Sequence, residues 1–399
     1  MDFSKRILNL KESPIRKLAP IANEAVQKGI NVYYLNIGQP DIKTPLEFYQ
    51  AINKFDSEVL KYAPSQGMKS LIQSIQSFYK QYDIHLKESD VIITSGASEA
   101  ILFAISVICN PSDEILIPEP FYVNTVNFVN QLSVKVVPIP TDEATGYHLP
   151  TKTLIEGLIT NKTKAILITH PNNPTGTVYT DQELQLIKTI ALEYNLYLIA
   201  DEVYRTITFN NSRATSFGQL SDIDENLILI DSVSKRYSSC GARVGALISK
   251  NVVFMRYAMK LAQARLSVAT IDQIGATALY TMSPDYYDSI AKVYESRRNV
   301  VIDELNKIPG ISYSNPEGAF YMLIGLPVDN AEDFAKWLLT DFDFNGETVF
   351  VAPAKDFYLN PLLGNNQIRL AYVYEEVALR KAIRILGLGL YQYLRIISE

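Results

Sequence analysis

Residues 227–245 read LILIDSVSKRYSSCGARVG, and the way this stretch is read decides the fold. LILI, at 227–230, is a β-branched, apolar run of the kind found in a buried strand. A turn of small and polar residues follows, with Lys235 just past the strand end and Arg243 between Gly241 and Gly245. Open α/β sheets bind ligands at the carboxyl ends of their strands, so a lysine there faces a crevice. Ser232, Ser234 and Arg243 on the same loop suit an anionic group such as a phosphate. A single lysine after a strand is more often merely solvated, so the assignment depends on the rest of the chain.

The rest of the chain repeats the pattern. VIITSG (91–96), EILIPEPFY (114–122), VKVVPIP (134–140), KAILITH (164–170), LYLIADEVY (196–204) and RVGALIS (243–249) join LILI as a set of seven apolar strands. Helical patterns alternate with them, clearest in DQELQLIKTIALEYN, 181–195. Near-continuous apolar runs predict an α/β fold with a mostly parallel seven-stranded sheet covered by helices on both faces. Upstream, helices are expected around 15–29 and 68–82, with the extended loop VYYLNIGQPD between them. Beyond about 285 a long helix, PDYYDSIAKVYESRRNVVIDELNKI, leads into short strands (FYMLI, TVFVAP, QIRLAY) and two helices. The expected division is a large α/β domain over 46–288 and a smaller α+β domain made of 1–45 and 289–399.

Composition narrows the function. The net charge of −6 argues against a protein built to hold nucleic acid or an anionic membrane. Two cysteines, Cys109 and Cys240, are too few for a disulfide framework in 399 residues. The charged amino terminus lacks the apolar core of a signal peptide, and no run approaches the roughly 20 apolar residues of a membrane span. A cytoplasmic protein is expected, with no metal site.

Four strand ends then offer polar groups to one crevice. TSGASEA, 94–100, is a glycine turn opening a helix, whose free N–H groups favour phosphate; Ser95 or Ser98 as a simple N-cap is the plainer reading. PNNPTG, 171–176, presents Asn173, and ADEVY, 200–204, closes an apolar strand with two acids and a tyrosine. A carboxylate in such a place needs a cationic partner. The fourth strand end is the lysine loop.

GASEA, NNPTG, DEVY and SVSKRYSSCGARVG, in this order, resemble the pyridoxal-phosphate-dependent aminotransferases of fold type I, classes I and II, over essentially the whole chain. The resemblance implies pyridoxal 5'-phosphate as cofactor. By it, Lys235 forms the Schiff base and shuttles the proton, and Asp201 pairs with the pyridine nitrogen. Asn173 and Tyr204 hold the ring hydroxyl oxygen, and Tyr122 stacks on the ring while Phe121 belongs to the core. Gly96, Ala97 and Ser98 with Ser232, Ser234 and Arg243 form the phosphate cup. Arg369, in NQIRLAY, holds the substrate α-carboxylate, and Gly38 brings its backbone close to it. Tyr62, in KYAPSQG, reaches the phosphate of a neighbouring subunit, which implies a homodimer.

The reaction so implied is a two-step exchange of an amino group between an L-amino acid and a 2-oxo acid. The form of the amino-terminal third resembles aspartate aminotransferases, which favours aspartate and 2-oxoglutarate. A lysine that often follows the phosphate-loop pair in bacterial relatives is Ser98 here, so Arg265, in QARLSVAT, is the expected recogniser of a distal carboxylate in the partner's site. Aromatic or alanine-type aminotransferases and carbon–sulfur lyases use the same scaffold. An effector-sensing regulator domain does too, but no basic helix-turn-helix precedes residue 30.

Overall fold

The computed structural model describes every residue except Met1, Asn9, Lys11, Pro14, Pro361 and Glu399. After a short strand β1 (Asn31–Tyr34), seven strands build the main sheet. They are β2 (Val91–Thr94), β3 (Glu114–Glu119), β4 (Lys135–Pro140), β5 (Thr163–Thr169), β6 (Tyr197–Asp201), β7 (Leu227–Ser232) and β8 (Gly245–Ile248). Their order across the sheet is β2-β8-β7-β6-β5-β3-β4. The neighbours from β7 through β6, β5 and β3 to β4 are parallel, while β8 runs antiparallel to both β2 and β7. The reason lies in the link. A parallel return needs a crossover, usually a full helix, and residues 233–244 hold only the short helix Val233–Arg236 before β8 begins.

Both faces of this sheet are covered, as the unbroken apolar runs require. Alternate residues of a strand point to opposite faces. Ile166, Ile168, Leu198 and Leu229 pack with Leu71, Ile75, Leu184 and Ile187, which come from the helices Lys69–Lys80 and Asp181–Glu193. On the other face Leu167, Ile199, Ile228 and Ile230 meet Ala100, Ala104, Phe254 and Ala258, from the helices Gly96–Ile108 and Val252–Arg265. The helix Asp181–Glu193 starts where its sequence says it should: the Thr180 hydroxyl accepts from the Glu183 N–H and the Glu183 carboxylate accepts from the Thr180 N–H.

The two ends of the chain meet in a second layer. Its strands are β9 (Tyr321–Gly325), β10 (Glu347–Phe350), β11 (Ala352–Pro353) and β12 (Gln367–Ala371). β1 pairs in parallel with β10, while β11, β12 and β9 form an antiparallel sheet. The long helix Pro284–Leu305 and the helix Glu376–Ser398 pack on it, and Leu18, Ala22 and Ala25 of the amino-terminal part join the same core. Tyr204, Ile207 and Phe209, just beyond β6, also belong to that core, so the two layers are keyed together beside the crevice. The first long helix is shorter than its pattern suggests. It spans Ala19–Gln27, with residues 15–18 in a turn that turns out to matter for the site. No helix among the described residues is long and apolar enough to cross a membrane.

Candidate active site

A cavity of about 510 Å³ opens at the carboxyl ends of β5, β6 and β7. Into it come Gly38, Ala97, Ser98, Tyr122, Asn173, Asp201, Tyr204, Ser232, Ser234, Lys235, Arg243 and Arg369. Gly96 stands just behind Ala97, and Phe121 is buried in the sheet core. Tyr62 and Arg265 lie outside the cavity of their own chain. Tyr62 is 78% exposed, and Arg265 donates to the carbonyls of Ser65 (3.2 Å) and Ile93 (3.1 Å) and faces Glu99 at 3.6 Å.

The lysine loop is anchored from below. Arg236, next to Lys235, points the opposite way and grips Asp231 with two hydrogen bonds of 3.2 and 3.0 Å, both side chains fully buried. Tyr280 donates to the same carboxylate at 3.1 Å. Lys235 is thereby held above the strand end, its Nζ donating to the Gly38 carbonyl at 2.7 Å. Its charge balance is informative. Burial opposes the ammonium, while Tyr321, Cys240 and Tyr122 act to raise its pKa. The balance leaves the Lys235 pKa raised from its ordinary value, with the neighbouring Arg369 guanidinium opposing the rise.

Asp201 ends β6, almost fully buried, and its carboxylate accepts a 3.4 Å hydrogen bond from the Val203 N–H. Burial pushes its carboxyl up to about 7, with the nearby acids Asp231 and Glu202 adding to the shift and Lys235 opposing it. A carboxyl so raised is a site waiting for a positive charge. Across the cavity the Tyr204 and Tyr321 hydroxyls share a 3.0 Å hydrogen bond. Arg369, on β12, is buried to 1%; it donates to Asn173 Oδ1 at 3.1 Å and to the Asn36 carbonyl at 2.6 Å. Its guanidinium lies over the Tyr321 ring, 4.5 Å from the centroid, and its Nε has no partner.

At the other end is a cradle for an anion. Ser95 sits at the N-cap of the helix Gly96–Ile108, but its side chain makes no cap hydrogen bond, so the plainer reading of this turn does not hold. Ala97 and Ser98, in the first turn of this helix, line the cavity, and first-turn N–H groups have no acceptor within their own helix. Arg243, in the left-handed region at φ 52°, stands so close that a Cβ on Gly96 would lie 2.6 Å from its Nη2. A Cβ on Gly245 would lie 2.5 Å from the Gly96 carbonyl carbon. The Ser232 and Ser234 hydroxyls are 2.9 Å apart beside it.

Several residues in the cavity were not singled out by sequence: Tyr321, Arg16, Ser13 and Asn124. Tyr321 also explains Gly38, because a Cβ there would lie 1.7 Å from its hydroxyl.

A seven-stranded α/β sheet with an amine, a buried acid and an anion cradle at its strand ends defines an aminotransferase of classes I and II. The chain belongs to that family: the pattern described as "Aminotransferase class I and II" matches residues 30–386. The aspartate aminotransferase of Bacillus subtilis (strain 168) is 30% identical over 393 residues, 96% of this chain and 97% of that protein. Among solved structures, the aspartate aminotransferase of Thermotoga maritima superposes with a TM-score of 0.89 at 27% identity, covering 98% of this chain and all of that one. The alanine aminotransferase of Pyrococcus furiosus does so with the same score at 30% identity and the same coverage.

Proposed function

We propose that this aminotransferase uses pyridoxal 5'-phosphate and moves an amino group from aspartate to 2-oxoglutarate. The observation that carries the cofactor is Asp201, a buried carboxyl with no ion-pair partner among the described residues, facing the same cavity as Lys235. A protonated ring nitrogen would complete it, and the Gly96–Ser98 turn with Ser232, Ser234 and Arg243 suits the phosphate. Bound there, the cofactor supplies the carbonyl that takes up the amine and the electron sink for the substrate's Cα–H bond.

In this reading the protein's own residues do the following. The Lys235 amine takes the proton from the substrate carbon and returns it. Asp201 keeps the proton on the ring nitrogen. Asn173 and Tyr204 hold the ring hydroxyl oxygen, and Tyr122 covers the ring face. Arg369 holds the α-carboxylate with donors that its contacts to Asn173 and Asn36 leave free. Gly38 keeps the backbone next to it open. Tyr62, exposed on its own chain, reaches the phosphate of the partner in a homodimer. The large domain is 46–288 and the small one 1–45 with 289–399, and a cytoplasmic setting keeps both cysteines reduced.

The donor is the finer part of the proposal. Arg265 remains the sequence's choice for the distal carboxylate, in the partner's site; it would first have to leave Glu99. Unchanged aspartate turnover in Arg265→Ala would remove it. An alanine-type donor is the second reading, favoured by the likeness to the Pyrococcus furiosus enzyme. The deciding experiment mixes cofactor-loaded protein with single amino acids and follows the visible absorption band. Rapid loss of the band with aspartate or glutamate supports the acidic donor, and loss only with alanine or phenylalanine overturns it. Lys235→Ala should slow the loss at least about 100-fold, since general acid–base catalysis alone contributes roughly 100- to 10,000-fold.

A further inference from the structure

The cavity holds two guanidinium groups besides the one in the anion cradle: Arg369 at its floor and Arg16 at its mouth. The sequence pattern had put residue 16 inside a helix, but residues 15–18 form a turn that delivers this side chain to the cavity instead. Both neighbours of Arg16 are committed elsewhere. Ile15 is buried in an apolar cluster with Tyr122, Leu323 and Phe357. Lys17 forms ion pairs with Glu332 at 2.5 Å and Asp356 at 3.8 Å. The turn is therefore pinned on either side of Arg16, whose guanidinium has no hydrogen-bond or ion-pair partner among the described residues.

The turn is also tied to Arg369. Asn36 donates from its side-chain amide to the Ile15 carbonyl at 2.7 Å, and its own carbonyl accepts from Arg369 Nη2 at 2.6 Å. One buried asparagine thus sets the position of the backbone beside Arg16 relative to the guanidinium of Arg369. The charge of Arg16 also reaches the middle of the cavity: burial raises the Tyr122 phenol pKa, and Lys235, Arg369 and Arg16 all oppose that rise. Among the described residues Asp201 is the only carboxylate that lines the cavity, so none of them is left to neutralise a second cation there.

We infer that Arg16 binds the distal carboxylate of a dicarboxylic amino or 2-oxo acid, so that Arg369 and Arg16 of one chain grip the two ends of the substrate. This rests on the aminotransferase reading above and gives its substrate class. It also differs from the Arg265 assignment in a testable way, because Arg16 acts in its own chain's site.

The test uses the cofactor-loaded full chain, its Arg16→Gln and Arg16→Lys variants, and aspartate and alanine as donors. A charged hydrogen bond left unmade justifies an expected fall of about 100-fold in the ratio of kcat/KM for aspartate to that for alanine in Arg16→Gln. The loss should be carried mainly by KM, and Arg16→Lys should recover part of it. As a readout besides turnover, succinate should bind Arg16→Gln about 100-fold more weakly than wild type by calorimetry, while acetate binding changes little. Equal falls for both donors, or no change in the ratio, would overturn the assignment. So would a wild-type enzyme that prefers alanine. Wild-type protein that turns over no amino acid would instead count against the underlying aminotransferase reading.

Discussion

One methyl group at Gly38 would stand 1.7 Å from the Tyr321 hydroxyl, so Gly38→Ala must push that ring aside. The move would break the Tyr204–Tyr321 hydrogen bond and shift the carbonyl that receives Lys235. We expect kcat/KM to fall by about 100-fold, the usual cost of a displacement near 1 Å, with the far-UV circular dichroism unchanged. Asp201 makes a different prediction. Because its pKa is raised to about 7 in the folded, cofactor-free protein, it stabilises that form at low pH, and this contribution is lost as pH rises from about 4 through 7. Asp201→Asn should abolish that decline in thermal denaturation while slowing amine exchange more than it weakens cofactor binding. Lys235, Asp201 and Arg243 were legible in the sequence because charge at the end of an apolar strand is conspicuous. Tyr321 and Arg16 were not: a tyrosine within AFYMLI reads as core, and an arginine in an amphipathic pattern reads as solvated.

Between elements, the clearest joint is Glu304, near the end of the helix Pro284–Leu305 and 2% exposed. Its carboxylate receives Arg380 and Arg384 from the helix Glu376–Ser398 and Lys307 from its own chain segment. Burial alone would raise its pKa, but these cations overcome it and hold it down at about 2. Glu304→Gln should cost about 2 kcal/mol, less than a fully buried pair because the cations are half exposed, and should lower the urea midpoint without changing KM. A group with a depressed pKa loses its contribution as pH falls, so wild type and variant should converge between pH 4 and 2. The seven strands and their covering helices were readable from apolar runs and capping residues. The direction of β8 was not, since four buried residues look the same whichever way they run. Only the shortness of the link from β7 carries that information.

For the whole molecule, the proposed dimer allows a complementation test. Lys235→Ala and Tyr62→Ala chains, each impaired alone, should regain activity when unfolded and refolded together, because one site of each mixed dimer then has an intact lysine and an intact tyrosine. No gain over the separate variants would mean that Tyr62 does not serve a neighbour. The pairing of β1 with β10 joins residues 31–34 to 347–350, and Asn36 reaches Arg369 across almost the same span. A chain emerging from the ribosome at roughly 5–20 residues per second must therefore carry its first strand without a partner for tens of seconds. The sheet that would hold the cofactor is synthesised early, while the grip on the substrate closes only when the last strand arrives. A nascent chain stalled short of residue 347 would hold most of a cofactor pocket without Arg369, the guanidinium that seats the substrate's α-carboxylate in this reading.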